Sequence, residues 1–222
     1  KLVPQNYLNV LKKTENENTA KKTKTTKTIH GIEKQTTKET ADQIQQGIAK
    51  EILRFHVLAN SDSEEDQKLK LEVKDRLVDY MKDILDGAED VKETKKRITE
   101  NRETICLVAE QEIQKQGYTY PVSVNLEKCY FPMKTYGDCT FPAGTYEALR
   151  VCIGKAKGRN WWCVLYPGLC FADSVNVIVP DEKKQELKNI LTEEEYESLF
   201  DWREDDYQIR SGFLRLWRKL FA

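Results

Sequence analysis

Histidine is almost missing from this chain: its 222 residues include two, His30 and His56. A zinc site draws on several histidines or on closely spaced Cys-x-x-Cys pairs, and the six cysteines, at 106, 129, 139, 152, 163 and 170, lack that spacing. No metal and no other cofactor is therefore expected. A cysteine nucleophile needs a base within reach, and Cys163 with His56 is the one dyad to consider. Long apolar runs are missing too. No stretch of about 18 apolar residues occurs, so no bilayer-spanning helix is expected. Neither sign of charge dominates: the formal net charge of -1 argues against a dedicated nucleic-acid binder. Gly154-Lys-Ala-Lys-Gly158 lacks the Lys-Ser/Thr ending of a phosphate loop and reads as a turn between strands. No apolar signal region follows Lys1, so the chain is expected to be a mature or truncated form whose targeting segment has been removed.

What is present suits one core domain with solvated ends. Residues 1–43 form a Lys/Thr-rich segment, nearly free of large apolar groups between Lys12 and Lys38, and are expected to be a flexible tether. A basic arm at an anionic membrane surface is the alternative. Residues 44–180 carry the apolar patterning of the core domain, and 181–222 form an acidic helical extension with a basic amphipathic tail. In that tail Ile209, Phe213, Leu216, Trp217 and Leu220 share one side of a helical wheel, opposite Arg215, Arg218 and Lys219. The stretch 209–221 fits either peripheral contact with a membrane or docking on the domain.

Within the core domain, Leu53–Leu58 reads as a first strand, and Asn60-Ser-Asp-Ser63 offers caps for a helix beginning near Ser63. Leu69, Val73, Leu77, Met81 and Leu85 recur at helical spacing, with Gly87 placed to end the helix. A second long helix is expected from about Asp90 to Gly117, with Ile98, Ile105, Val108, Ala109 and Ile113 inward. Val122 to Leu126 alternates as a half-buried strand. Tyr146–Ile153 and Trp161–Tyr166 read as two more, paired across the Gly154–Arg159 turn, with Val175–Val179 as an edge. The expected fold is α+β: a two-layer domain with an antiparallel sheet packed by two long helices, plus C-terminal helices.

The densest stretch is Asn160-Trp-Trp-Cys-Val-Leu-Tyr-Pro-Gly-Leu-Cys-Phe171. Adjacent strand residues point to opposite faces, so Trp161 and Trp162 cannot fill one core. Pro167-Gly168 lets the chain fold back, which can bring Cys170 to Cys163; Cys129 with Cys139 is the other candidate bridge. This stretch resembles the signature of the stage II sporulation protein R family. Three more match that family in order: Leu53-Arg-Phe-His-Val-Leu-Ala-Asn-Ser-Asp62, Phe131-Pro-Met-Lys-Thr-Tyr-Gly137 and Phe141-Pro-Ala-Gly-Thr-Tyr-Glu147. The resemblance runs from about Ile52 to Asp173.

The resemblance implies a non-enzymatic signal, secreted from the forespore into the space between forespore and mother cell. There it would activate a membrane-embedded aspartic protease of the stage II sporulation protein GA type, which matures pro-sigma-E. Aromatic, cysteine and small polar residues converging on strand ends make a docking patch. Its candidate partner-binding residues are Arg54, Asn60, Asp62, Tyr136, Tyr146, Asn160, Trp161, Trp162, Tyr166 and Phe171. The competing reading is an extracytoplasmic thiol-dependent hydrolase or transferase using Cys163 and His56.

Overall fold

The computed structural model describes residues 41–171 and 178–200, with the side chain of Phe171 excluded. The chain divides into Lys1–Gln43 and Ile44–Ala222, and every element below from Ile44 onward belongs to the second unit. The expected tether at 12–38 and the tail at 209–221 lie outside the described residues, as does most of the expected edge strand at 175–179.

The architecture is α+β, as the patterning predicts. Leu53–Leu58 (β1) is buried along its whole length, which requires cover on both faces and makes it a central strand. It joins Val122–Phe131 (β2), Gly144–Ile153 (β5) and Asn160–Tyr166 (β6) in a sheet of order β2-β5-β1-β6. Lys134–Tyr136 (β3) and Cys139–Phe141 (β4) pair as a separate hairpin inside the long connection before β5.

The expected pairing of β5 with β6 across a tight turn does not form. β1 lies between them, parallel to β5 and antiparallel to β6, so the sheet is mixed. β1, whose Leu53, Phe55, Val57 and Leu58 are all buried, gains more by taking the central position than an edge would give it. Segment 154–159 instead passes over the end of β1, where the N–H groups of Gly158 and Lys157 donate to the carbonyls of Ala59 and Asn60 at 2.9 and 3.2 Å.

One face of the sheet is covered by Glu64–Leu85 (α2), Val91–Glu100 (α3) and Arg102–Lys115 (α4). Ser63, the last residue of the expected capping stretch, caps α2 through its hydroxyl, which accepts the N–H of Asp66. All five α2 positions expected to face inward are buried, as are the five expected in the next helical stretch. Apart from the small Ala109, each such side chain contributes roughly 1.5–3 kcal/mol by leaving water. The expected second helix is two helices, interrupted at Asn101, whose amide folds back on the Arg97 carbonyl at 2.8 Å. Gly87 and Gly117 end their helices at φ +68° and +85°, which a side chain would oppose.

The other face has its own core at one end only. Ile48 of the helix over residues 41–51 (α1), and Ile52 just after it, meet Phe131, the β3–β4 hairpin, Ala148 and Val164. Leu187 of Asp181–Ile190 (α5) and Leu199, just after Glu193–Ser198 (α6), complete it. α6 begins with a capping box between Thr192 and Glu195.

Candidate functional site

The four sequence stretches converge on β1, β6 and the segments at their ends. At the C-terminal end of β1, Asn60 joins three pieces of chain. Its side-chain carbonyl accepts the Lys155 N–H at 3.0 Å, and its amide donates to Asp66 Oδ2 at 2.8 Å. The Ser61 hydroxyl donates to the same Asp66 oxygen at 2.5 Å. Burial pushes the Asp66 carboxyl upward, but these donors hold it below its ordinary value. Asp62 accepts the Arg159 N–H at 2.7 Å. Asn60 and Asp62, expected as partner contacts, thus tie the start of α2 to the crossing segment, with Asp62 exposed and Asn60 half-buried.

The two tryptophans separate as strand alternation requires. Trp161 packs with the helix-covered core, edge-on to Phe55 at 5.5 Å, with the Lys74 ammonium 5.2 Å from its ring centre. Trp162 occupies the opposite face, stacked on His56 and edge-on to Phe131 at 4.7 Å. Both indoles remain half-buried, as do Asn160 and Tyr166.

Cys163 in β6 and Cys170 beyond it form a disulfide with Cα atoms 5.8 Å apart, so this candidate bridge is present. Cys170 lies in the short turn Leu169–Phe171. The Tyr166 hydroxyl donates to the Glu89 carbonyl at 2.9 Å, fastening β6 to the turn after α2. Phe171 was expected as a contact anchor, but its side chain lies outside the described residues.

Arg54 and Tyr146 depart from the expected role of partner contacts: both are buried within the fold. Arg54 alternates away from the helix-covered core into the second one, where Phe131, Phe141, Tyr146 and Tyr136 surround its guanidinium at 4.5, 5.2, 5.2 and 5.7 Å. Nη2 donates to the Tyr136 hydroxyl at 3.1 Å. Tyr136, half-buried, serves the same cage. These residues carry three of the four sequence stretches, and their joint appearance reflects one packed arrangement around a buried cation.

The geometry separates the two members of the expected Cys163–His56 dyad. Cys163 pairs with Phe55 and faces the helix-covered core, whereas His56 pairs with Trp162 on the other side of the sheet. The Cys163 sulfur is also consumed in the disulfide. Cys129 and Cys139, the second candidate bridge, are free thiols. Burial pushes them up to about 11 and about 12, with Glu127 and Asp138 adding to it, so neither supplies a thiolate near neutral pH. Among the described residues, no three His, Cys, Asp or Glu side chains come together as metal ligands, and no helix is long and apolar enough to cross a membrane.

One feature escaped the sequence patterns. A cleft of about 610 Å³ opens beside Tyr166, between the end of α2, the end of β6 and α5. Asp86, Glu89, Glu182 and Glu186 line it. None of them stands out in the sequence, and only the tertiary fold brings them to one place.

The family model for stage II sporulation protein R matches residues 49–176, which contain β1 through the disulfide loop. Stage II sporulation protein R of Bacillus subtilis (strain 168) is 33% identical over 174 residues, covering 76% of each chain. No solved structure gives a significant match. The sequence stretches, their convergence around β1 and β6, and this coverage lead to one assignment: the chain belongs to the stage II sporulation protein R family.

Proposed function

We propose that this chain is a non-enzymatic signal of sporulation, secreted from the forespore into the space between forespore and mother cell. There it activates a membrane-embedded aspartic protease of the stage II sporulation protein GA type, which then matures pro-sigma-E. Family membership over residues 49–176 carries this reading. Two features of the fold support it. The Cys163–Cys170 disulfide suits an oxidising compartment outside the cytoplasm. Strand β6 presents half-buried Trp162 on one face and half-buried Trp161 and Tyr166 towards the other, aromatic side chains of the kind that anchor protein contacts. Peripheral membrane contact through 209–221 would keep the protein near its receptor.

Binding can activate such a protease only by favouring one of its arrangements over another, so the contact must differ between them. The test is co-expression of the exported chain with the membrane protease and pro-sigma-E in a non-sporulating host, following conversion of the precursor. Conversion that requires this chain is the expected result. No conversion with all three proteins present at matched levels would remove the activator role. Trp162→Ala, accepted as folded from its thermal melt, is expected to lower conversion; full conversion by that variant would take Trp162 out of the contact.

A further inference from the structure

The cleft beside Tyr166 is lined by more negative charge than the fold neutralises. Its floor is apolar, formed by the buried Leu85, Leu165 and Gly168. Asp86, Glu89 and Glu182 stand exposed at its rim, with Glu186 half-buried beside them. Two lysines share the lining, but the Lys183 ammonium is already engaged by both Glu186 oxygens at 2.7 and 2.8 Å. Lys82 therefore faces three carboxylates. Burial raises the Tyr166 phenol first, and the charges of Asp90, Glu186 and Glu51 raise it further.

An apolar floor under a carboxylate rim fits an extended stretch of chain that lays down an apolar side chain and presents arginine or lysine on either side. Small-molecule sites hold a few converging polar groups that fix one orientation. Here the polar groups are spread around the rim on three separate elements, an arrangement that selects charge and steers approach more than it fixes a pose. The Cys163–Cys170 disulfide and the Tyr166 bond to Glu89 hold the β6 wall in place, so the cleft exists before any partner arrives.

We propose that the cleft between α2, β6 and α5 is a docking site for a basic, apolar-anchored segment of the partner protein. This rests on the activator reading for the identity of the partner, while the binding chemistry is independent of it. The probe is a fluorescent pentapeptide alternating arginine and leucine, titrated against the full chain, with a glutamate-for-arginine peptide as control. The arginine peptide should bind, bind more weakly at high salt, and lose about tenfold in affinity to Glu89→Lys/Glu182→Lys at an unchanged melting temperature. Equal binding of the two peptides, or no loss in the charge-reversed variant, overturns the proposal. Binding seen only when Arg215→Glu and Arg218→Glu are introduced would mean that the chain's own basic end occupies the cleft, which also overturns it. In the precursor-conversion assay the same charge reversal should reduce conversion. Full conversion by it, where the unaltered chain is active, excludes the cleft as the partner contact. Absence of conversion by the unaltered chain sinks the activator reading alone and leaves the peptide result to judge the cleft.

Discussion

The imidazole of His56 lies flat on the indole of Trp162, ring centres 5.0 Å apart and planes 14° from parallel. The two are cross-strand partners of β1 and β6, so the stack follows from the register. His56 is buried, and neither ring nitrogen finds a partner among the described residues. Burial lowers its pKa to about 4; Arg150 and Arg54 act in the same direction, and Glu127 opposes them. Between the ordinary value of 6.5 and about 4, the unfolded chain binds a proton that folded His56 refuses. Stability must therefore fall as pH drops through that window, by up to about 3 kcal/mol from this one group.

His56→Phe removes that proton linkage while keeping a ring against Trp162. The difference between the unfolding free energies of the two proteins should grow as pH falls from 6.5 to 4, with the variant the more stable at the acid end. Urea denaturation at a series of pH values measures it. Parallel curves would mean that His56 titrates alike in the folded and unfolded chain.

Arg54 is the other buried cation-capable group on this face, and no ion pair reaches it among the described residues. Its Nε and Nη1 find no partner among the described residues, so the aromatic rings rather than hydrogen bonds hold most of the guanidinium. Arg54→Ala should cost about 3 kcal/mol or more, because a large cavity would open in the second core. Arg54→Met fills that space without burying charge and should recover most of the loss. Denaturant midpoints of the two variants decide the point: if Met is as damaging as Ala, the charge itself holds the cage together.

Asn60 and Gly158 make the crossing of 154–159 over β1 possible. A Cβ at Gly158 would lie 2.0 Å from the Ser61 carbonyl oxygen, a backbone atom that cannot swing away. Gly158→Ala should therefore destabilise by about 2 kcal/mol, within the range for overpacking. Asn60→Ala should lose a similar amount, since the Lys155 N–H and one side of Asp66 would go unpaired. Thermal melts of both variants test this. An unchanged Gly158→Ala melt would mean that the segment does not cross β1 so closely.

The helix-covered half of this fold is legible in the sequence because helix and strand periodicities are local: Leu69 to Leu85 and the alternation of Val122 to Leu126 declare their inward faces unaided. The opposite faces of Trp161 and Trp162 follow from the same rule. The insertion of β1 between β5 and β6 does not, because the Gly154–Arg159 segment has the composition of a hairpin turn whether it joins neighbouring strands or spans a third. Nor does the fate of Arg54 and Tyr146. An arginine on a strand looks exposed until Phe131, Phe141 and Tyr136, from far along the chain, are seen to enclose it. The cleft is least legible of all, since its carboxylates come from α5 and the end of α2, nearly a hundred residues apart.

The disulfide separates a structural role for the cysteines from a chemical one. Cys163 and Cys170 close a short loop, sequence separation 7, for which the chain-entropy account gives about 2.5 kcal/mol. Cys163→Ala and Cys170→Ala should then lower stability equally, and the double variant should lose no more than either single one, because either substitution already opens the loop. The loop carries Tyr166 and Gly168, which wall the cleft, so all three variants should also weaken binding of the arginine peptide to the same degree. Paired denaturation and peptide titrations measure both effects. A loss confined to Cys163→Ala would assign that sulfur a role of its own and remove the loop-closure account.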